Sequence, residues 1–352
     1  MSYQYPLLNK VFEHFKGHQN NVSDIYLVCC QHILEPQLKM FELLVDFGFE
    51  PSKIVLLGKI YSTNNDVVRE IEDIGINVIQ PKFSGVSFDL EHKNNCESLL
   101  KEIPEDAKVI LLDDGAELIK TFQERKNVLF AVEQTSSGFR KLEGNQLSFP
   151  VVNVARSSTK LIQESPLIAR LCFERINEYL SNKSIDKPKL LIVGLGPIGE
   201  AIFEIFKQND FDVSGFDIKE GHKELLSIII SEKPDVVIGA TGSSILSKDE
   251  IDNLVSDREI HFISVSSSDR EFPVAYFRNN NEVHKDVIYK NITFVNNGFP
   301  ITFKGNRYEL TPVEIEKTVC LLGGAIADGV VSGFKEKGLV NVSEILEQVI
   351  NQ

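Results

Sequence analysis

The stretch Leu190-Leu-Ile-Val-Gly-Leu-Gly-Pro-Ile-Gly199 passes directly into Glu200-Ala-Ile-Phe-Glu-Ile-Phe206. An apolar run that ends in Gly194-x-Gly196-x-x-Gly199 and continues with helical periodicity predicts a strand, a tight turn and a helix. That order suits a dinucleotide. Gly194 permits the turn, Gly196 lets the backbone approach a pyrophosphate, and Gly199 lets the helix pack closely on the strand. Pro197 and Ile198 open a helix whose free N–H groups would face the phosphates. The next predicted strand, Asp212-Val-Ser-Gly-Phe216, ends at Asp217. This acid lies about 20 residues past the glycines, where a ribose would offer its hydroxyls. A carboxylate there favours NAD over NADP, because it repels a 2′-phosphate. The plainer reading, a glycine turn beside a solvated Asp217, leaves the agreement of motif, strand context and acid spacing to chance.

Outward from this motif, further strands are predicted at Val236, His261 and Ile292. Asp235-Val-Val-Ile-Gly-Ala-Thr241-Gly242 puts Thr241 and Gly242 at a strand's carboxyl end, where ligands of doubly wound sheets lie. Upstream, Thr159–Leu180 reads as a long connecting helix interrupted near Pro166, and the polar Ser181–Pro188 breaks it. The N-terminal half alternates in the same way. A helix over Leu7–Phe15 precedes a strand over Asp24–Cys30, followed by Gln31 and His32. Helix Pro36–Phe47, strand Lys53–Leu57, helix Asp66–Ile74, strand Asn77–Ile79, helix Cys96–Ile103, strand Lys108–Leu112, helix Ala116–Gln123 and strand Val128–Val132 come next. Such alternation predicts a parallel sheet covered on both faces. A last long helix is predicted over Thr311–Val331, and its Gly323-Gly324 pair suggests close packing against a nucleotide or a second helix.

The 352 residues suffice for two domains with separate cores. A net charge of −14, spread without long single-sign blocks, would be repelled by phosphate backbones, so no nucleic acid partner is expected. No apolar run approaches the ~20 residues needed to span a bilayer. The first ten residues also lack an apolar signal core, so the expectation is a cytoplasmic protein with no membrane partner. The five cysteines (Cys29, Cys30, Cys96, Cys172, Cys320) form no Cys-x-x-Cys pair and are expected to be reduced and mostly in the core. The seven histidines show no zinc-like spacing, and no metal is expected.

Several stretches resemble S-adenosylhomocysteine hydrolase (adenosylhomocysteinase), in the same order along the chain. Leu111-Leu-Asp-Asp-Gly-Ala-Glu-Leu118 resembles that family's Leu-Asp-Asp-Gly-Gly-Asp-Leu, and Glu133-Gln-Thr-Ser-Ser-Gly-Phe-Arg-Lys-Leu142 its Glu-Glu-Thr-Thr-Thr-Gly-Val-x-Arg-Leu. Pro150–Val154, Ser158-Thr-Lys160, Cys30-Gln-His32 and Ile60-Tyr-Ser-Thr63 echo further family segments. The resemblance implies an α/β chain of two domains, each a doubly wound, mostly parallel sheet. A Rossmann NAD-binding domain (about 161–302, with the connecting helix) would be inserted in a discontinuous substrate domain (1–160 plus about 303–352). It implies NAD as cofactor, a nucleoside hydroxyl as the oxidised group, and a homo-oligomer, dimer or tetramer.

Carried over residue by residue, His32, Asp113, Asp114 and Lys160 match family active-site positions, and Thr135, Ser136 and Ser137 its cofactor-contacting Thr run. Asp217 matches the ribose-binding acid, and Thr241-Gly242 the pair beside the nicotinamide ribose. The departures are equally informative. Gln134 stands where the family has a catalytic Glu, Glu164 and Ser165 where it has Asp and Asn, Ala169 for a Cys, and Ser267 for a His. Leu34 and Pro36 replace polar groups near adenine, and Gly305-Asn-Arg-Tyr308 follows where a Gly-His-Pro segment would be.

Lys160 and Glu164, four residues apart, would share a helix face, and a desolvated lysine could serve as base to a hydroxyl. Lys160 could equally be a solvated cation, His32 a structural histidine and Asp113-Asp114 a turn and helix cap. The expected catalytic set is Lys160, His32, Asp114 and Glu164. The expected activity is an adenosylhomocysteinase-like, NAD-dependent oxidation of a secondary hydroxyl on a nucleoside-like or other small polar substrate, without efficient S-adenosylhomocysteine hydrolysis. The alternatives are a non-catalytic NAD-binding sensor or interaction protein, and a true adenosylhomocysteinase with an altered active site.

Overall fold

Apolar runs such as Val109-Ile-Leu-Leu112 cannot leave one face in water, and the chain buries both faces of them as parallel strands between helical layers. The computed structural model describes residues 3–18, 21–217, 222–279 and 282–352. The chain divides into a first unit, Met1–Lys82, His92–Glu164 and Gly305–Gln352, and a second, Phe83–Glu91 and Ser165–Lys304. The strands are β1 (Tyr26–Ile33), β2 (Ile54–Thr63), β3 (Asn77–Ile79), β4 (Val109–Asp113), β5 (Val128–Glu133), β6 (Pro150–Asn153), β7 (Lys189–Val193), β8 (Asp212–Phe216), β9 (Val236–Gly239), β10 (Ile260–Ser264), β11 (Val287–Tyr289), β12 (Ile292–Phe294) and β13 (Gly338–Asn341). The helices are α1 (Pro6–Phe15), α2 (Glu35–Asp46), α3 (Asn65–Asp73), α4 (Phe88–Glu102), α5 (Glu117–Thr121), α6 (Ser136–Leu142), α7 (Ser158–Asn182), α8 (Pro197–Gln208), α9 (His222–Glu232), α10 (Lys248–Asn253), α11 (Pro312–Ser332) and α12 (Glu344–Asn351).

In the first unit the strand order is β13-β6-β5-β4-β1-β2-β3, parallel throughout. Leu27, Cys29, Leu56 and Ile110 face a layer built from α1, α2 and α11, whereas Val28, Cys30, Leu57 and Leu111 face Cys96 and Leu99 of α4 and Leu118 of α5. From β1 the chain winds one way to β2 and β3, then crosses back to β4. Beside β1 the winding direction therefore reverses, and the carboxyl ends of β1 and β4 border a crevice. The second sheet runs β11-β12-β10-β9-β7-β8, parallel except for the β11–β12 pair. Its reversal lies between β7 and β9, with α7 and α8 on one face and α9 and α10 on the other. The chain thus forms two doubly wound α/β units, and both are discontinuous in sequence: Phe83–Glu91 and Ser165–Lys304 of the second interrupt the first.

Several local expectations are corrected. Helix α7 runs unbroken from Ser158 to Asn182 with Pro166 inside it. The carbonyl that Pro166 deprives of a donor belongs to Ile162, a residue 73% exposed, so water can satisfy it. Strand β2 does not stop at Leu57 but continues through Gly58 and Lys59 to Thr63, and β1 carries Gln31 and His32 within it. Helix α4 begins at Phe88, two turns before Cys96. Strands β6, β11 and β13 are additional; the first and last lie at one edge of their sheet, where short strands suffice. The glycine pair of α11 packs inside the first unit: a Cβ on Gly323 would lie 3.0 Å from Phe12 and one on Gly324 2.5 Å from Leu346. Of the two expected partners, a nucleotide or a second helix, the pair thus meets helices, α1 and α12. Among the described residues no helix is long and apolar enough to cross a membrane.

Candidate functional site

The carboxyl edge of the first sheet gathers polar side chains from adjacent strands. The β1–β2 register shifts between Gln31 and Ile33, at His32. His32 Nε2 lies 3.2 Å from Asp114 Oδ2, and its Nδ1 is hydrogen-bonded to Ser62 Oγ. Lys59, from the middle of β2, donates to Asp114 Oδ1. Lys59 and Asp114 are both buried. Burial opposes the charge on Asp114, but the ammonium of Lys59 and the imidazole of His32 outweigh it and hold the carboxyl well below the ordinary range. Burial likewise disfavours the charged Lys59, yet Asp114 and then Tyr61 raise it well above the usual lysine value.

One strand further on, Glu133 accepts hydrogen bonds from the backbone N–H groups of Gly115, Ala116 and Thr135 and from the Thr135 hydroxyl. Even so, burial pushes its carboxyl up to about 7. Burial, followed by the charge of Glu133, also pushes Asp113 well above the carboxylate range. Asp113 Oδ2 accepts from the Ile119 N–H at 2.9 Å, inside α5. Lys160, in the first turn of α7, donates to the Gln134 carbonyl at 2.6 Å and pairs with Glu164 at 3.3 Å. Thr135 caps α6 by accepting from the Gly138 N–H, and Ser136 and Ser137 form the first turn of that helix. His32, Asp114 and Glu133 thus stand on neighbouring strand ends, and Lys160 with Glu164 reaches the same edge through Gln134. At this edge Gln31 Oε1 and Nε2, Asp113 Oδ1, Gln134 Oε1 and Asn153 Oδ1 are buried side-chain atoms with no hydrogen-bond partner among the described residues. They come from the ends of β1, β4, β5 and β6, four strands side by side.

In the second unit the glycine turn joins β7 to α8. Gly194 has φ +98°, and its N–H donates to the Phe216 carbonyl at 2.8 Å. A Cβ on Gly199 would fall 1.8 Å from the Gly194 carbonyl oxygen, whereas one on Gly196 would meet no described atom within 4 Å. Gly196 is the N-cap of α8, with no side chain to cap it, and Pro197 and Ile198 begin the helix. Asp217 directly follows β8. Thr241 and Gly242 follow β9, but their N–H groups both donate to Glu271 Oε1, at 2.6 and 3.0 Å. Ser264 Oγ donates to Glu271 Oε2 at 2.8 Å. Glu271, fully buried, therefore occupies the strand-end donors that the sequence suggests for a ligand.

No family model matches the sequence. An uncharacterized protein of Mycobacterium tuberculosis, Rv0104, is 29% identical over 378 aligned positions that span 99% of this chain and 73% of the relative. Among solved structures, the NAD-dependent formate dehydrogenase of Staphylococcus aureus in complex with NAD is similar at 12% identity and a TM-score of 0.43, covering 90% of this chain and 98% of that one. The A chain of dipicolinate synthase from Bacillus subtilis is similar at 12% identity and a TM-score of 0.40, covering 95% and 99%.

Lys59, Glu133 and Glu271 are not among the residues singled out from the sequence. Lys59 interrupts an apolar run and so reads as its end, and Glu271 lies in a Ser- and Asp-rich stretch that reads as loop. Glu133 is quoted only as the flank of a motif. Of the three, Glu133 is detectable as a charged residue at a strand's carboxyl end beside a Thr/Ser cluster.

Proposed function

We propose that the chain is an NAD-dependent oxidoreductase acting on the hydroxyl of a small polar, nucleoside-like ligand, an adenosylhomocysteinase-like protein that does not cleave S-adenosylhomocysteine efficiently. The observation that carries this reading is the glycine turn. A Cβ on Gly199 would strike the Gly194 carbonyl and one on Gly194 would strike Ala240 and Thr241, so neither accepts a side chain, while Gly196 stays open toward the start of α8, which no described side chain caps, beside the reversal of the sheet. This is the arrangement a pyrophosphate needs, with Asp217 one strand over for a ribose. A bound nicotinamide would supply a hydride acceptor.

The first unit provides the polar partners for a substrate. Leaving buried polar atoms unpaired costs roughly 1–3 kcal/mol each, so the unpaired atoms of Gln31, Asp113, Gln134 and Asn153 favour a ligand rich in hydroxyl or amide groups. Lys160, held by the Gln134 carbonyl and Glu164, is the proposed proton acceptor for the hydroxyl. Gln134 has no titratable group and cannot take up or release a proton, so the additional transfers that hydrolysis requires lack a carrier there. The same feature favours the second reading, a non-catalytic NAD binder. Calorimetry with NAD tests the cofactor. NADH absorbance across a panel of nucleosides and small hydroxy compounds tests the chemistry, with Lys160→Ala expected to abolish it. Efficient homocysteine release by the wild-type protein would return the chain to the parent activity. NAD binding without turnover of any ligand would favour the binder. Light scattering tests the homo-oligomer that belongs to this reading.

A further inference from the structure

Away from the edge just described, three ligand-bearing side chains converge inside the first unit. Cys30 lies on β1 and points into the layer covered by α4. His92 and Cys96 stand four residues apart on α4 and therefore share one helix face. His92 Nε2 lies 3.7 Å from Cys30 Sγ and 3.9 Å from Cys96 Sγ, and all three atoms lie within 4.8 Å of one another. A tetrahedral zinc with Zn–S of about 2.3 Å and Zn–N of about 2.0 Å holds its ligand atoms about 3.5–3.8 Å apart. The observed spacings match those edges closely enough that small side-chain shifts would close the site.

We infer that Cys30, His92 and Cys96 bind one zinc ion. Two thiolates and a neutral imidazole cancel the charge of a divalent ion, so the assembled group is uncharged and tolerable among Val28, Val55 and Leu99. Nitrogen and sulfur donors of this softness suit zinc rather than magnesium or calcium. Both cysteines are fully buried and His92 is 7% exposed, so the ligands are already desolvated and gathered before the ion arrives. The cysteines ligate as thiolates, so zinc affinity rises with pH. The ion would cross-link α4 to β1. A single remaining coordination position would fall to water or a small ligand, since three side chains of the ligating kinds meet there among the described residues.

The test uses the full chain, stripped with a chelator under reducing conditions and titrated with zinc chloride against a chromophoric chelator. One zinc per chain is expected, with a higher melting temperature. Cobalt chloride in its place should produce thiolate-to-cobalt charge-transfer absorption and tetrahedral d–d bands. Cys96→Ser and His92→Ala should lose stoichiometric binding, and Cys172→Ser, a buried cysteine of the second unit, should keep it. If Cys96→Ser does not fold, the cobalt spectrum of the wild type still decides. Absence of metal uptake with all thiols reduced overturns the inference. So does a cobalt spectrum without thiolate bands, or recovery of a Cys30–Cys96 disulfide from protein purified without chelator.

Discussion

His32 Nε2 and Asp114 Oδ2 stand 3.2 Å apart, and Lys59 occupies the other oxygen of the same buried carboxylate. One acid thus binds the end of β1, the middle of β2 and the turn after β4. Removing one member of a buried ion pair leaves an uncompensated charge, so Lys59→Ala should cost about 3–5 kcal/mol in denaturant unfolding. The double variant Lys59→Met, Asp114→Leu should cost less than the sum of the two single changes. Additive losses would show that the two side chains act independently.

Glu133 gives a signed pH dependence. Its folded carboxyl is raised from 4.5 to about 7, so the folded state holds this proton more tightly than the unfolded chain. The contribution is fully present below about 4.5 and is lost as pH rises through about 7. The upward shift of Asp113 acts in the same direction. A shift of this size corresponds to up to about 3 kcal/mol. Melting temperatures of Glu133→Gln across this window should fall less steeply with pH than those of the wild type.

The two outer glycines of the α8 turn and the middle one should separate fold from binding. Gly199→Ala drives a methyl group into the Gly194 carbonyl and should destabilise the apo protein by about 3 kcal/mol or more. Gly196→Ala meets open space and has an extended backbone at φ −78° that alanine accepts. Apo stability should therefore change by no more than about 1 kcal/mol, while NAD affinity by calorimetry drops tenfold or more. Equal melting temperatures for the two variants would contradict the geometry of the turn.

Glu271 should tolerate loss of charge but not loss of its acceptors. Glu271→Gln keeps an oxygen for the Thr241 and Gly242 N–H groups, and Ser264 can reverse its hydroxyl. Its unfolding midpoint should stay close to that of the wild type. Glu271→Ala takes from the Thr241 N–H its acceptor and leaves the Gly242 N–H and the Ser264 hydroxyl only their longer bonds to Ser266, and should cost about 1–3 kcal/mol.

The alternation of apolar runs and helices was enough to read the two doubly wound units and ten of the thirteen described strands, because parallel strands buried on two faces carry an unbroken apolar signature; β6, β11 and β13 were not read from it. Candidate positions at a strand's carboxyl end were legible where that end coincides with a polar pair, as at Asp113-Asp114, His32 and Thr241. Lys59 and His92 escaped for one shared reason. Each sits inside an element whose apolar pattern is interrupted by that very residue, so strand and helix read short and the residue falls outside them. What brings Lys59 to Asp114, or His92 to Cys30, is pairing between segments far apart in sequence, which no local periodicity records. Thr241 and Gly242 show the opposite: the position at the strand end is legible, but the buried acid that claims their N–H groups lies some thirty residues downstream.

The edge pairing of β13 with β6, together with the burial of α11 in the first core, bears on how the chain is made. During synthesis the residues of the second unit from Ser165 to Lys304 emerge before Gly305–Gln352, which the first unit needs for closure. At roughly 5–20 residues per second, the apolar face that α11 will cover waits on the order of ten seconds beside the ribosome. Chaperone dependence should therefore concentrate on the N-terminal half. Nascent chains stalled near Lys304 should be protease-resistant in the second unit and still cleavable in the first.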